Sequence, residues 1–290
     1  MEQPAARGIM VQQIKALWGV YASQKEAVAG AVLLLVIIAV AILAPYVSPY
    51  DPSHLGDSLM EPPGRRHFLG TDGLGRDVFS MVLHGTRVSL TIGVVSALLS
   101  GIIGTLVGGV AGFYGGWADA VVSGITDIFL MLPTFFFVLI IVAMFGSSML
   151  HVMIVIALTS WPGNARLMRA QSLSLRERTF VAGSRAIGES GWSILFRHVI
   201  PNGIFPVIAN TTMQVAGAIL TEAGLSFLGL GDPNVVSWGR MVYDGRTYLA
   251  SAWWISTFPG LAIVVTVMAF YLIGDGLNRV LNPKLAGERV

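Results

Sequence analysis

Uncharged runs of about 20 residues recur along the chain and predict transmembrane helices, since a helix needs roughly that length to cross the hydrocarbon of a bilayer. The predicted spans are residues 27–47, 88–113, 120–145, 149–168, 203–222 and 250–275. The fourth run is the shortest, and it contains His151, Pro162 and Asn164. The pattern therefore predicts an all-α integral membrane protein with six transmembrane helices.

The positions of lysine and arginine predict which side of the membrane each connecting segment occupies, because these residues accumulate in cytoplasmic segments. Most of the 18 basic residues fall in three of the seven segments outside the spans. These three are predicted to be cytoplasmic: the N-terminal segment 1–26, the loop 169–202 and the tail 276–290. The segments 48–87 and 223–249 are then external loops. Both termini are expected on the cytoplasmic side.

The first span is longer than the apolar core of a signal peptide, which favours a retained anchor. Ala44 before Pro45 leaves cleavage as the alternative.

Small residues recur at every fourth position of the second span. They are Ser96, Ser100, Gly104, Gly108 and Gly112, called here the small-residue ladder. This spacing places them on one helix face, where small side chains let another helix approach closely. We expect the ladder to contact a helix of the same chain in preference to another subunit.

Composition agrees with a membrane protein and limits the possible chemistry. Hydrophobic residues make up 54% of the chain and charged residues only 12%, and the net charge of +2 is too small to indicate binding of nucleic acid. With no cysteine, the chain has no disulfide, thiolate metal site or cysteine nucleophile. His151 and His198 have no partner at metal-ligand spacing, so we predict no metal site.

Three acidic residues lie within or at the ends of apolar runs, where an ionised side chain is unfavourable and is by default a functional candidate. Asp127 lies inside the third run and is either a translocation-path residue or a structural one. Glu222 and Asp275 lie near predicted membrane boundaries, where solvation or pairing at a helix end favours structural roles.

The loop between the fourth and fifth spans is basic and amphipathic, with Leu173, Phe180, Ile187 and Phe196 interspersed among arginines. This pattern predicts short helices at the membrane surface. Taken alone, it fits an amphipathic segment that binds anionic lipid as well as it fits a protein contact.

Residues 180–188 and 196–202 resemble the coupling-loop signature of the permease subunits of ATP-binding-cassette (ABC) importers. That signature has Glu-Ala-Ala, three residues, a glycine and a later apolar-proline pair. Ala182, Gly183 and Ser184 stand at the Glu-Ala-Ala positions, whereas Arg185, Gly188 and Pro201 match. The residues at which the resemblance implies contact with an ATPase are Phe180, Val181, Ala182, Gly183, Ser184, Arg185, Ala186, Ile187, Gly188, Phe196 and Pro201.

Residues 67–80, 222–231 and 258–261 also resemble this family, in its dipeptide, oligopeptide and nickel branch. The resemblance implies a type I importer permease in the bacterial inner membrane, with dipeptides or oligopeptides as cargo. Nickel chelates and glutathione-like molecules are the alternative cargoes. In the implied coupling loop, Phe180, Val181, Ile187 and Phe196 are apolar anchors, Arg185 is a rim contact and Gly188 makes the bend.

The resemblance also implies a set of partners. They are a second permease subunit, two ATP-binding subunits and a soluble or lipid-anchored substrate-binding protein, in contact with membrane lipid and without nucleic acid. None of the three lysines, Lys15, Lys25 and Lys284, follows a phosphate-binding glycine loop, so ATP and Mg are expected in the partner ATPases, with no cofactor in this chain.

Two other classes of function are weighed against this one. A membrane-embedded enzyme acting on lipid needs titratable groups clustered at one interface, whereas the acidic residues here are scattered. A free-standing secondary carrier of six spans is possible only as a dimer. The leading hypothesis is a non-catalytic transport subunit.

Overall fold

The computed structural model describes residue 19 and residues 21–281, and the regular elements in this part of the chain are helices. The longer ones are α1 (Lys25–Val47), α2 (Val78–Tyr114), α3 (Gly116–Met131), α4 (Thr134–Phe145), α5 (Met149–Leu175), α9 (Phe205–Phe227) and α11 (Trp254–Leu281). The short ones are α6 (Thr179–Ala186), α7 (Gly191–Ile194), a π-helical turn (Leu195–Val199), α8 (Ile200–Gly203), α10 (Trp238–Gly245) and a 3-10 turn (Arg246–Tyr248).

Three of the described helices, α1, α2 and α11, are long and apolar enough to cross a membrane. Two bent pairs raise this number to five if each pair is one span: α3 with α4, bent by 86°, and the α7–α8 segment with α9, bent by 60°. The predicted fourth span, now α5, is not among these helices. The all-α class is confirmed, whereas the count of six and the sides of the termini stay predictions. Most of the predicted segment 1–26 and residues 282–290 of the tail lie outside the described residues.

Several helices extend beyond the predicted spans. The second helix begins at Val78 and not at residue 88, because the Asp77 carboxylate caps it by accepting the Ser80 N–H at 2.8 Å. The end of the predicted external loop 48–87 is therefore helical. Likewise α9 ends at Phe227, inside the predicted loop 223–249. Apolarity locates the membrane, but a helix also continues through polar residues beyond it.

The small-residue ladder packs against α5 of the same chain, as predicted. A Cβ atom built on Gly104 would lie 2.8 Å from the backbone nitrogen of Ala165, and one on Gly108 would overlap the Ala165 carbonyl. A Cβ on Gly112 would overlap the Arg169 carbonyl. The two backbones are thus too close for any larger side chain at these positions.

A buried polar cluster joins α2, α5 and α9 in the middle of the bundle. Asn164 is fully buried, and its amide nitrogen donates to Ser100 Oγ at 3.1 Å and to Gln214 Oε1 at 2.7 Å. Its amide oxygen accepts from Asn210 Nδ2 at 2.8 Å. Because each of these groups has a partner, the cluster fixes the three helices relative to one another.

Two apolar clusters lie at opposite ends of α2, whose 37 residues span roughly 55 Å. The cluster at the Val78 end contains Trp238 and Trp254. The cluster at the Tyr114 end contains Phe113, Met168, Val181, Leu195 and Val199. The second cluster holds the segment that follows α5, and with it the residues of the predicted coupling loop.

Candidate functional site

The segment after α5 is fixed to the Tyr114 end of α2 at its start. Helix α5 ends at Leu175, and the side chain of Arg176 donates from Nη1 to the Gly112 carbonyl at 3.2 Å. Arg178 then leads into α6 in extended conformation. The hydrogen bond from Arg176 to α2 thus fixes the point from which α6 starts.

Val181, one of the predicted apolar anchors of the coupling loop, packs inside this chain and holds α6 to it. Its side chain is 0% exposed and packs with Phe113, Met168 and Leu195. Successive residues of a helix point about 100° apart. Since Val181 faces the bundle, its neighbour Phe180 faces outward and is partly exposed.

Four large apolar side chains of this segment are exposed: Phe180, Ile187, Trp192 and Phe196, called here the exposed apolar patch. Ile187 is 84% exposed and Trp192 is 56% exposed. Trp192 stacks on Phe196 with ring centroids 6.0 Å apart, and it also contacts Tyr114 at 5.5 Å. Three of the four were predicted as anchors. Trp192 was missed, although it precedes Phe196 by one helical turn.

Gly188 makes the predicted bend between α6 and α7. Its φ of +84° lies in the left-handed region, which favours glycine. The turn is closed by two backbone hydrogen bonds, from Gly188 N–H to the Arg185 carbonyl at 3.0 Å and from Glu189 N–H to the Ser184 carbonyl at 3.1 Å. The bend brings α7 and its Trp192 beside the end of α2.

Glu189 links the bend to the next helical turns and was not singled out by the sequence. Its carboxylate accepts from Ser193 Oγ at 2.6 Å, and its other oxygen lies 3.1 Å from His198 Nε2. The hydrogen bond from Ser193 is the main reason that the pKa of Glu189 lies below its usual range. The carboxylate is therefore ionised at neutral pH. His198, predicted to be an interfacial polar residue, contacts the Glu189 carboxylate through Nε2.

The other predicted residues of the loop occupy its surface. Ala182, Gly183, Arg185, Ala186 and Pro201 are exposed, and Ser184 is partly exposed. The guanidinium of Arg185 lies 5.5 Å from the centre of the Phe113 ring, so it also contacts this chain's own core. Pro201 is the second residue of the short helix α8, which directly follows the π-helical turn. Arg178, Arg185 and Arg197 are all exposed, so the segment that carries the exposed apolar patch also presents three positive charges.

Asp127 forms an ion pair with Arg166 of α5, a partner 39 positions away in the sequence. Asp127 Oδ1 accepts from Arg166 Nη2 at 2.6 Å, and both side chains are about 60% exposed in the single chain. A second pair, Asp119 with Arg169, lies beside it and is bidentate. A cavity of about 360 Å³ lies between these pairs.

The remaining intramembrane acids have structural contacts. Glu222 is 3% exposed and accepts from the hydroxyls of Ser226 and Ser237 at 2.7 Å each, so it ties α9 to the start of α10. These contacts support the predicted structural role, whereas burial rules out solvation as the reason for the position of Glu222. Asp275 pairs with Arg279 at 2.6 Å, one turn along α11.

Histidine and acidic side chains are dispersed in the described part of the chain. Within residues 21–281 no three of them lie close enough together to hold a metal ion. His151 Nδ1 lies 2.9 Å from the Gly146 carbonyl, which explains its place at the start of α5.

Two family models match the sequence. Residues 104–287 match the model for the binding-protein-dependent transport system inner membrane component. Residues 13–63 match the model for the N-terminal TM domain of oligopeptide transport permease C. The first match includes α5, the exposed apolar patch and all the predicted loop residues.

Curated proteins are similar to the chain over nearly its whole length. The glutathione transport system permease protein GsiD of Pectobacterium atrosepticum is 40% identical over 271 residues, which cover 92% of this chain and 90% of that protein. The di/tripeptide transport system permease protein DppC of Pseudomonas aeruginosa is 40% identical over 280 residues, 94% of this chain and 92% of that protein. GsiD of Escherichia coli strain 536 is 39% identical over 273 residues.

Solved structures share the fold. An inward-facing structure of the MetNI methionine ABC transporter aligns with a TM-score of 0.55 and 19% identity, covering 69% of this chain and 96% of that one. A second crystal form of the same transporter gives a TM-score of 0.53 with 20% identity. The permease-like all-α fold predicted from the sequence is thereby confirmed.

Proposed function

The chain belongs to the binding-protein-dependent transport system inner membrane components, so it is a multi-pass permease subunit of an ABC importer in the bacterial inner membrane. We propose that its exposed apolar patch binds the ATPase and couples ATP hydrolysis to movement of the helices. Family membership implies ATP-binding subunits and a substrate-binding protein as partners. The proposal concerns which residues meet the ATPase.

The single observation that carries this proposal is the patch itself. Phe180, Ile187, Trp192 and Phe196 are exposed in a short helical segment that Val181 anchors to the rest of the chain. Exposed apolar groups in a segment with exposed arginines are typical of a protein contact, because burial of the apolar groups releases water. Force applied to the patch is passed to α2 and α5, since Val181 packs with Phe113 and Met168 of those helices.

In the proposed assembly, this chain pairs with a second permease subunit and with two ATP-binding subunits. The ATPases hold ATP and Mg and carry out the hydrolysis, while this chain has no catalytic role. A soluble or lipid-anchored binding protein delivers the cargo from outside. Closure of the ATPases moves the bundle that the Asn164 cluster holds together, and the cargo path opens to alternate sides.

The proposed cargo is a short peptide of two or three residues, with glutathione included in this class. Relatives named for glutathione and for di/tripeptides are each 40% identical to the chain over more than nine tenths of its length. The two names share one chemistry, a small peptide with free carboxylates. Nickel chelates are the alternative cargo.

The ion pair of Asp127 and Arg166 supports a place for α3 and α5 on the cargo path or at the second permease. Both side chains are exposed in the single chain. Charged groups facing hydrocarbon are strongly disfavoured, so this face requires water or a protein neighbour. The pair therefore lies either on the water-filled path or against the second permease, and we favour the path, where both charges remain solvated.

ATP-driven uptake tests this proposal. Proteoliposomes would contain this chain, the second permease and the ATPases, and the binding protein would be added outside. Uptake of a labelled dipeptide, a labelled tripeptide and labelled glutathione is expected only with ATP inside and binding protein outside. Each peptide should compete with the others.

Three results would contradict the proposal. Uptake driven by an ion gradient without ATP would indicate a secondary carrier. Uptake of a nickel chelate that peptides do not compete with would make the proposed cargo wrong. Turnover of lipid by the chain alone would indicate an enzyme.

A further inference from the structure

A charged cavity of about 510 Å³ lies at the Val78 end of α2, opposite the exposed apolar patch. It is enclosed by the turn at residues 72–76, by α10 with the following 3-10 turn, and by the start of α11. Its charged lining consists of Asp72, Arg76, Arg240, Asp244 and Arg246, and Tyr243 and Tyr248 are its aromatic residues. The volume lies within the range of about 300–1,000 Å³ that is usual for sites of small molecules.

Two of the three arginines are held by carboxylates of the chain. Arg76 Nε donates to Asp72 at 2.6 Å, and its Nη2 lies 3.5 Å from Asp244. Arg240 Nε lies 3.1 Å from the other oxygen of Asp244. Asp72 also accepts the backbone N–H groups of Leu74 and Arg76, both at 2.9 Å. Both carboxylates of the cavity are therefore already engaged.

Arg246 is held differently. Its guanidinium lies over the Tyr243 ring, 3.6 Å from the ring centre, and Nη1 donates to the Tyr243 carbonyl at 2.8 Å. Among the residues that the structure describes, it forms an ion pair with no carboxylate. A guanidinium carries five N–H donors in a planar fork that matches a carboxylate. The stacking on Tyr243 fixes the plane of the fork and leaves most of its donors unused.

We propose that the charged cavity is a carboxylate-binding site in which Arg246 receives the carboxylate. With three arginines against two aspartates, the lining has an excess of one positive charge, which favours an anionic group. The proposal rests on the proposed function for the source of that group. The carboxylate belongs either to the peptide cargo or to an acidic side chain of the binding protein that delivers it.

Substitution of Arg246 tests the site in the assembled complex, held in lipid nanodiscs. Arg246→Gln removes the charge, Arg246→Lys keeps it without the fork, and Arg65→Gln is the matched control. Arg65 is exposed in the other predicted external segment, 48–87, and does not line the cavity. Binding would be measured separately for free dialanine, for glutathione and for the cargo-loaded binding protein.

For Arg246→Gln, we expect the Kd of at least one probe to rise about tenfold or more, which is the usual loss for a charge-assisted hydrogen bond. Arg246→Lys should recover part of this loss, and Arg65→Gln should bind as the wild type does. A loss confined to the free peptides identifies the cargo as the source. A loss confined to the binding protein identifies its acidic side chain. Unchanged binding of all three probes by Arg246→Gln would overturn the proposal.

A second measurement uses the unaltered chain, so it does not depend on how the variants fold. Phenylglyoxal modifies accessible guanidinium groups, and mass spectrometry locates the modified arginines. A bound carboxylate should slow modification of Arg246 at least severalfold and leave Arg65 unaffected. Equal rates at Arg246 with and without every probe would contradict the site.

These outcomes differ from a failure of the proposed function. If the wild-type complex retained no ATP-binding subunits, the proposed function would fail, yet protection of Arg246 by a free peptide would still establish the cavity. If the complex hydrolysed ATP in response to cargo and Arg246→Gln bound every probe normally, only the cavity proposal would be lost.

Discussion

One methyl group added to Gly108 should separate α2 from α5 and destabilise the bundle. In Gly108→Ala the new Cβ overlaps the Ala165 carbonyl, and a backbone atom cannot turn aside as a flexible side chain does. Overpacking of this kind typically lowers the free energy of unfolding by about 1–3 kcal/mol. The helices must move apart to relieve the overlap, and the contacts of the neighbouring ladder residues weaken with them.

Gly217→Ala is the matched control for this change. Gly217 lies inside α9, and a Cβ built there meets nothing within 4 Å. The same substitution should therefore stabilise α9 by roughly 0.5–1 kcal/mol, because alanine is the better helix former. The two variants carry identical chemistry and are expected to change stability in opposite directions.

Equilibrium unfolding of the purified chain in mixed detergent micelles, followed by circular dichroism, measures both effects. The predicted difference between the variants is about 2 kcal/mol or more, a factor of roughly 30 in the unfolding equilibrium. Equal stability of Gly108→Ala and Gly217→Ala would refute the close contact of α2 with α5. A more stable Gly108→Ala would refute it as well.

Three further predictions concern topology, the bend and the Glu189 contacts. In intact cells an impermeant thiol reagent should label Ser53→Cys and not Gln3→Cys, since lysine and arginine place the N-terminus inside; labelling of Gln3→Cys would reverse the orientation. Gly188→Ala should lower uptake by the reconstituted complex about two- to tenfold, because the φ of +84° disfavours alanine by roughly 1–2 kcal/mol. Full uptake by this variant would contradict the need for a left-handed residue at the bend. Glu189→Gln should speed hydrogen exchange of the backbone amides of residues 184–198. The wild type should keep its protection from exchange at neutral pH and lose it only as acid protonates Glu189, because a group with a lowered pKa stabilises the fold above its usual pKa, about 4.3 for glutamate. Constant protection through that acid range would contradict the role of this carboxylate.

Apolarity predicted the membrane helices well where the runs are uncharged, as in α1, α2 and α11. It was less informative for α5, where Asn164 weakened the apolar pattern. The structure places Asn164 at the centre of a polar cluster with Ser100 and Gln214. These partners come from three separate helices, and no local pattern in a sequence reveals such pairing.

The coupling loop was predicted from its resemblance to a family, and the helical period separates its buried residues from its exposed ones. Phe180 and Val181 are adjacent and both apolar, so composition does not separate them. The packing of Val181 with Phe113 separates them, because it buries Val181 and leaves Phe180 exposed. Trp192 was overlooked because it lies between the two matched stretches. Its spacing of four from Phe196 was the signal that would have found it.

The ion pair of Asp127 with Arg166 could not be predicted from the sequence, for a different reason. Asp127 was noted as an acid within an apolar run, but its partner is on another helix. Only the packing of α3 beside α5 brings the two together.

The most direct test of the central claim compares two exposed tryptophans at opposite ends of the helix bundle. Trp192 belongs to the exposed apolar patch and is 56% exposed, while Trp253 precedes α11 at the other end and is 50% exposed. The measurement is the amount of ATPase retained by the purified complex, together with the ATP hydrolysed for each peptide taken up. An aromatic anchor at a protein contact is commonly worth about 1–2 kcal/mol or more, so Trp192→Ala should weaken ATPase binding about tenfold or raise the ATP used per peptide. Trp253→Ala should match the wild type in both. Full retention of the ATPases and an unchanged ratio in Trp192→Ala would contradict coupling through this patch.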